Sequence, residues 1–260
     1  ENAKIKLLAG DVSRIRRDTR VAYAAGRGGA GGAAPPPVSE KTFDEYHLYT
    51  LNRRTTLMDK QTKQVEFIRA EGVKSVSLYV YDGANIDPLR RWPSESMRNR
   101  TDYGISSNKK VKVMREFKNS KDNSLGIPLP KGRIRFYRRD DDGQLEFTGE
   151  NTIDHTPRDE TVRVYTGNAF DLVGERRQVN FKIDKARRVA DESFEIKLRN
   201  HKENKNVEIR VVEHLYRQRN WEITKASHNY TKTDSQAIEF RVAVDPDKEQ
   251  VITYTVHYTW

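Results

Sequence analysis

From Thr42 onward, apolar residues recur at every second position, the period of an extended strand with one buried face. Such runs occupy residues 63–68, 76–81 (closing at Asp82-Gly83) and 110–117 (closing on an Asn/Ser/Asp cluster). Leu129-Pro130-Lys131-Gly132 turns the chain into a run at 133–138. Asp142-Gly143 then predicts a hairpin into 145–147, because glycine tolerates the positive φ of a tight turn. Runs at 161–165 and 178–183 continue the series. The last part alternates most cleanly. Phe194, Ile196 and Leu198 form one set; Val207, Ile209 and Val211 a second; Ile238, Phe240, Val242 and Val244 a third. Ile252, Tyr254, Val256, Tyr258 and Trp260 share one face of a final strand. Short strands with one apolar face, separated by turn clusters, predict an all-β chain of antiparallel β-sandwich modules, the C-terminal one immunoglobulin-like. The terminal aromatic also resembles the closing strand of an outer-membrane barrel, but the other strands are too short and too charged outside for lipid. A short helix near residues 185–193 is the one exception to the strand pattern.

The organisation expected along the chain has four parts. Residues 4–8 read as a strand, so 1–23 is a strand remnant of a preceding region. The stretch AAGRGGAGGAAPPP makes residues 24–40 a linker or disordered loop, since glycines free the backbone and prolines stiffen it. A phosphate-binding loop is excluded there because proline follows the glycines, where Lys-Ser/Thr and a helix are required. Residues 41–184 form a β-rich sandwich domain with a long aperiodic loop at 85–110, and residues 185–260 form the immunoglobulin-like one. Glu1-Asn2-Ala3 carries neither an initiator Met nor a basic-then-apolar leader, which predicts a chain beginning inside a longer precursor.

Composition narrows the chemistry. With 35% hydrophobic and 33% charged residues the 260-residue chain suits sheets with one wet face better than a doubly covered parallel sheet. The absence of cysteine excludes disulfides, thiolate metal sites and cysteine nucleophiles together. No apolar run approaches the ~20 residues that span a bilayer, so no transmembrane segment is expected. The net charge of +10 is spread as pairs such as Arg16-Arg17, Arg53-Arg54, Arg90-Arg91, Arg138-Arg139, Arg176-Arg177 and Arg187-Arg188. A distributed positive field favours polyanions, or is an ordinary solvated surface.

No motif assigns catalysis. The histidines (His47, His155, His201, His214, His228 and His257) lack the spacing of a zinc helix. Asp140-Asp141-Asp142-Gly143 lacks the alternating ligands of a calcium loop and reads as a hairpin turn, as does the turn carrying Asp245 and Asp247. Ser227-His228 has no nucleophile elbow around it. The expectation is therefore no catalytic residue, no metal and no cofactor. The best binding candidate is the face shared by Arg133, Arg135, Tyr137 and Arg139, with Ile134 and Phe136 directed to the core. Guanidinium groups beside an aromatic ring suit a polyanion. The competing reading pairs them with acidic residues such as Glu146 and Glu150 on the neighbouring strand.

The motifs Ser107-Asn108-Lys109-Lys110, Arg115-Glu116-Phe117-Lys118-Asn119, Leu129-Pro130-Lys131-Gly132-Arg133-Ile134-Arg135-Phe136-Tyr137, Phe147-Thr148-Gly149-Glu150, His155-Thr156-Pro157 and Gly167-Asn168-Ala169-Phe170-Asp171-Leu172 resemble a bacterial family known as domain of unknown function 4139, distantly similar to mucoidy-inhibitor-like proteins. Tyr46-His47-Leu48-Tyr49, Glu213-His214 and Trp221-Glu222-Ile223 fit it as well, so the resemblance spans most of residues 41–260. It implies an exported, β-rich protein with a further N-terminal region, and it brings no catalytic residues.

The expected function is thus a non-enzymatic envelope or extracellular protein, periplasmic or secreted, that binds a protein partner or self-assembles. Polyanion binding through the basic strands is the alternative, and an envelope-associated hydrolase the second.

Overall fold

The computed structural model describes residues 3–10, 38–43, 45–52, 54–56, 58, 61, 66–84, 95 and 99–260. The Gly/Pro-rich stretch expected to be a linker lies outside them, as does most of 85–98. The described elements are strands apart from a 3-10 turn at Lys121–Asn123, and the chain is all-β. It forms two compact units, neither continuous in sequence. One comprises Glu1–Ser75, Phe117–Phe136 and Glu150–Val164; the other comprises Val76–Glu116, Tyr137–Gly149 and Tyr165–Trp260.

In the first unit, β1 (Lys6–Ala9), β2 (Val38–Phe43) and β3 (Tyr46–Leu51) form an antiparallel sheet with β3 in the centre. Tyr49 on β3 is buried; its hydroxyl donates to the Pro128 carbonyl at 2.8 Å and its ring meets the Phe67 ring edge-on at 4.7 Å. An apolar cluster of Phe117, Leu129, Val162 and Val164 packs with Ile134 and Phe136, which point inward as their alternation predicts. Asn119 and Asn123 are buried and fully used. The Asn119 amide donates to the carbonyls of Ile127 and Pro157 and accepts from Gly126 N–H; that of Asn123 donates to Lys74 and Lys118 carbonyls and accepts from Lys74 N–H. These bonds knit loops whose backbone groups would otherwise be buried without partners. Residues 66–68, expected at the end of a strand, are irregular chain instead, and 62–65 lie outside the described residues.

The second unit is organised by a sheet that also takes in β5 (Lys110–Lys118) and β8 (Thr161–Asp184). Its further strands are β4 (Val76–Asp82), β9 (Val189–Asn200), β10 (Val207–His214), β11 (Asn220–Ala226), β12 (Tyr230–Asp234), β13 (Ala237–Val244) and β14 (Lys248–Thr259), in the spatial order β11-β14-β9-β8-β5-β4-β10-β13-β12. The expected boundary at residues 184/185 falls in the turn between β8 and β9, which pair antiparallel from Asp184↔Val189 to Leu172↔Asn200. The C-terminal strands are therefore completed by earlier chain. The sheet is mixed where antiparallel pairing alone was expected, because β10 runs parallel to β4. The expected helix near 185–193 is a tight turn, with Arg188 at φ 56, followed at once by β9. The two runs at 161–165 and 178–183 belong to one 24-residue strand.

This sheet rolls over so that its inner face meets itself. Phe240 on β13 lies 5.8 Å from Tyr254 on β14, and Phe194 on β9 stacks on Tyr254 at 5.3 Å. Ile196, Leu198, Ile209, Val211, Ile238, Val244, Ile252 and Val256 fill the remaining interior with no exposure to solvent. Each such side chain contributes about 1.5–3 kcal/mol of hydrophobic stabilisation. The two end strands also meet through side chains. Trp221 Nε1 on β11 donates to Ser235 O at 2.9 Å, and Lys232 on β12 sits 4.8 Å above the Trp221 ring. Glycine is required where Tyr81 crosses the interior, since a Cβ on Gly174 would lie 2.2 Å from that ring.

Candidate interaction surface

The remaining strands, β6 (Gly132–Arg139) and β7 (Leu145–Ile153), form a two-stranded hairpin. Its basal residues belong to the first unit. There Arg133 and Arg135 are exposed as predicted, and both turn to Glu150, at 3.4 and 3.0 Å. The cross-strand pairing foreseen with Glu150 is what the structure contains. These exposed pairs are worth at most about 1 kcal/mol each.

The distal residues, 137–149, belong to the second unit and carry the other two candidates. Tyr137 (53% exposed) meets Phe147 (55%) edge-on at 5.8 Å, and Leu145 (51%) lies on the same short stretch of β7. Arg139 Nη1 donates to Gly143 O at 2.7 Å and so braces the turn. The turn is further closed by Asp140 N to Gln144 O (2.8 Å), Gly143 N to Asp140 O (2.9 Å) and Gln144 N to Asp142 Oδ1 (2.8 Å), with Gly143 at φ 84. Asp142 is thus a turn former, as its sequence context indicated. The arm leaves β8 at a close approach, where a Cβ on Gly149 would lie 2.6 Å from Thr166 O. Phe170 on β8 is 97% exposed, again within the second unit. Sequence reasoning singled out Tyr137 and Arg139 but not Leu145, Phe147 or Phe170. Alternation alone gives no signal for them, since it reads apolar strand positions as buried, whereas here they are exposed.

The interior of the second unit holds charges that alternation alone would not place there. Arg176 on β8 and Glu213 on β10 have no exposed side-chain surface; Arg176 Nε lies 2.9 Å from both carboxylate oxygens. Tyr254 donates to Glu213 Oε2, and the guanidinium lies 3.8 Å from the Phe194 ring centroid. Alongside, Arg217 Nη2 contacts Glu192 Oε1 at 2.8 Å, and that oxygen also accepts from Gln178 Nε2 at 2.6 Å. The Tyr216 hydroxyl is 3.1 Å from Glu192 Oε1 and from Tyr103 O. Three carbonyls of one loop complete the set: Arg217 donates to Arg100 O and Tyr103 O, and Arg176 to Gly104 O. Burial lowers the affinity of Arg176 for its proton, but the Glu213 carboxylate outweighs this and holds its pKa above the ordinary value. Burial, with Glu213 and Glu192 nearby, raises the Tyr254 and Tyr258 pKa values well above normal. The cluster places two Arg–Glu pairs inside the sandwich and ties the 100–104 loop to it. A sequence signal was available here: Glu192 and Glu213 sit in phase with the apolar sets of β9 and β10.

Four of the six histidines sit in separate side-chain pairs. His214 Nε2 lies 3.1 Å from Asp82 Oδ1, with Lys112 Nζ 3.3 Å from Asp82 Oδ2. Their mutual hydrogen bond raises the His214 pKa; Asp82, raised by burial, is brought below its ordinary value by His214 and Lys112. His257 pairs with Asp191 at 2.7 Å and His47 with Glu40 at 2.8 Å. Ser227 Oγ lies 2.8 Å from His228 Nδ1, while Thr253 N–H donates to that same oxygen at 2.9 Å. Among the described residues, no group of three or more His, Cys, Asp or Glu is placed to hold a metal ion. No helix among them is long and apolar enough to cross a membrane.

Compared with family models, curated proteins and solved structures, the chain matches none.

Proposed function

We propose that this chain is a non-enzymatic interaction protein of the cell envelope or extracellular space, docking a protein partner through the distal arm of the β6–β7 hairpin. The observation that carries the reading is the half-exposed set Tyr137, Leu145 and Phe147 on an arm stiffened by its own turn bonds. Aromatic side chains flanked by Arg are the composition of binding hot spots, because they bury much area at little entropic cost. A partner covering the exposed half of each would remove roughly 100 Å² apiece, worth ~2 kcal/mol per residue before association costs. That sum supports a weak contact by itself and a firm one only with charged neighbours engaged. The envelope location, and membership of the domain of unknown function 4139 family, rest on the sequence resemblance. The polyanion alternative is weakened by Glu150, which occupies Arg133 and Arg135. The test is a photo-crosslinking residue at position 147 in the native source: a discrete adduct is expected. Absence of any adduct from positions 137, 145 and 147 alike would refute the reading.

A further inference from the structure

We infer that the interior of the second unit is a binding site for one ordered water molecule, bonded at once to Arg176, Glu192 and Tyr258; none of these residues belongs to the hairpin arm. Three buried polar atoms call for it. Arg176 Nη2, Glu192 Oε2 and the Tyr258 hydroxyl are shut off from solvent, and among the described residues none has a hydrogen-bond partner. The remaining polar side-chain atoms of Arg176 and Glu192 are well supplied. Arg176 Nε and Nη1 meet Glu213 and Gly104 O, and Glu192 Oε1 accepts from Gln178, Tyr216 and Arg217. Buried polar groups left bare are costly, and native interiors hold few of them.

Strand register brings the three together. Tyr258 faces Ala190 and Val256 faces Glu192 across β14 and β9, so Tyr258 and Glu192 are diagonal neighbours on the inner face, within reach of long side chains. Gln178 on β8 reaches Glu192 Oε1 at 2.6 Å, and Arg176, two residues earlier, shares its inward face. Burial and then the Glu192 charge raise the Tyr258 pKa, while Arg217 and Arg176 oppose them, as fits a hydroxyl near both signs. Arg176 Nη2 and Glu192 Oε2 carry opposite charges that would pair outright if they touched, and the phenolic O–H turns toward any acceptor in range. That none of the three bonds another leaves a gap between them wider than one hydrogen bond. A guest there must accept from a guanidinium N–H, donate to a carboxylate oxygen and meet a hydroxyl that can do either. It must also be uncharged, since an anion would face Glu192 and a cation Arg176 in a cluster of two Arg–Glu pairs. Water meets each condition, and about three hydrogen bonds is usual for a buried one.

Tyr258→Phe removes one hydroxyl and keeps the ring, and the sign of its effect decides. A hydroxyl bonded to water loses that bond, so the Tm of the full chain should fall by about 2–4 °C. A hydroxyl with no partner is better replaced by a ring edge, so Tm would hold or rise. Tyr254→Phe, which removes a hydroxyl bonded directly to Glu213, sets the scale of such a loss. A high-resolution crystal structure of the full chain should place one water within about 3.2 Å of at least two of the three atoms. A Tyr258→Phe variant as stable as the parent chain, or more so, overturns the inference. So does a crystal structure with Arg176 Nη2 bonded directly to Glu192 Oε2, with no water at the three atoms, or with a guest larger than water.

Discussion

Glu213→Gln probes the interior charge cluster with almost no change of shape. Both Arg176 and Glu213 side chains are fully withdrawn from solvent, and the guanidinium has Glu213 on one side and the Phe194 ring beneath it. Removing the carboxylate charge leaves a cation that bulk water cannot reach, held by Gly104 O, the ring face and at most one neutral amide oxygen at position 213. Breaking one partner of a buried pair costs about 3–5 kcal/mol. The Tyr254 bond to position 213 also loses its charge assistance, about 1 kcal/mol more. Replacing both partners by apolar residues, Arg176→Met with Glu213→Leu, removes the stranded charge. It leaves Gly104 O and the Tyr254 hydroxyl short of partners at about 1–2 kcal/mol together. The double variant should therefore be more stable than Glu213→Gln, and more stable than the sum of Arg176→Met and Glu213→Leu by a coupling of at least about 2 kcal/mol. Urea unfolding of the full chain, followed by tryptophan emission, reads this as a shift of midpoint at unchanged slope. A loss below about 1 kcal/mol for Glu213→Gln, or a double variant as weak as the summed singles, would refute the reasoning.

Two further outcomes follow from local geometry. Gly174→Ala should cost about 1–3 kcal/mol by pushing the Tyr81 ring from its bond to Asn108 O, whereas Gly143→Ala, open in space, should be penalised only through its positive φ; thermal melts of the two separate steric from backbone strain. His214, with its pKa raised, stabilises fully below its unfolded pKa of about 6.5 and loses that contribution as pH rises through the folded value, while Asp82, with its pKa lowered, contributes above about 3.9 and loses as pH falls. The pair's advantage is therefore greatest between those values, and His214→Gln should flatten the dependence of Tm on pH by an amount worth under about 1 kcal/mol, the site being partly exposed.

Much of this architecture was legible because strands with one buried face advertise it. β9, β10, β13 and β14 follow their apolar alternation residue for residue. The two end strands were less legible: β11 (Asn220–Ala226) offers only the short alternation Trp221/Ile223, and β12 (Tyr230–Asp234) is exposed throughout and has no apolar face to read. β8 read as two strands because its middle, around Gly167 and Gly174, has little apolar rhythm. The parallel pairing of β4 with β10 joins segments far apart in the chain, which local pattern cannot express. At the interaction surface, alternation placed Arg133, Arg135, Tyr137 and Arg139 outward correctly. What it lacked was the partner strand, which ties the first two to Glu150 and adds Leu145 and Phe147 beside Tyr137.

The most direct measurement of the central claim is the reactivity of a single cysteine placed at position 147, compared between dilute purified protein and the native source. Thr231→Cys serves as the exposed reference. The account predicts that Phe147→Cys labels as fast as the reference when purified and dilute, and at least about tenfold slower in the native source, where the arm is covered. Equal labelling at the two positions in both settings would show an arm that stays bare, and would contradict the claim that it is an interaction surface.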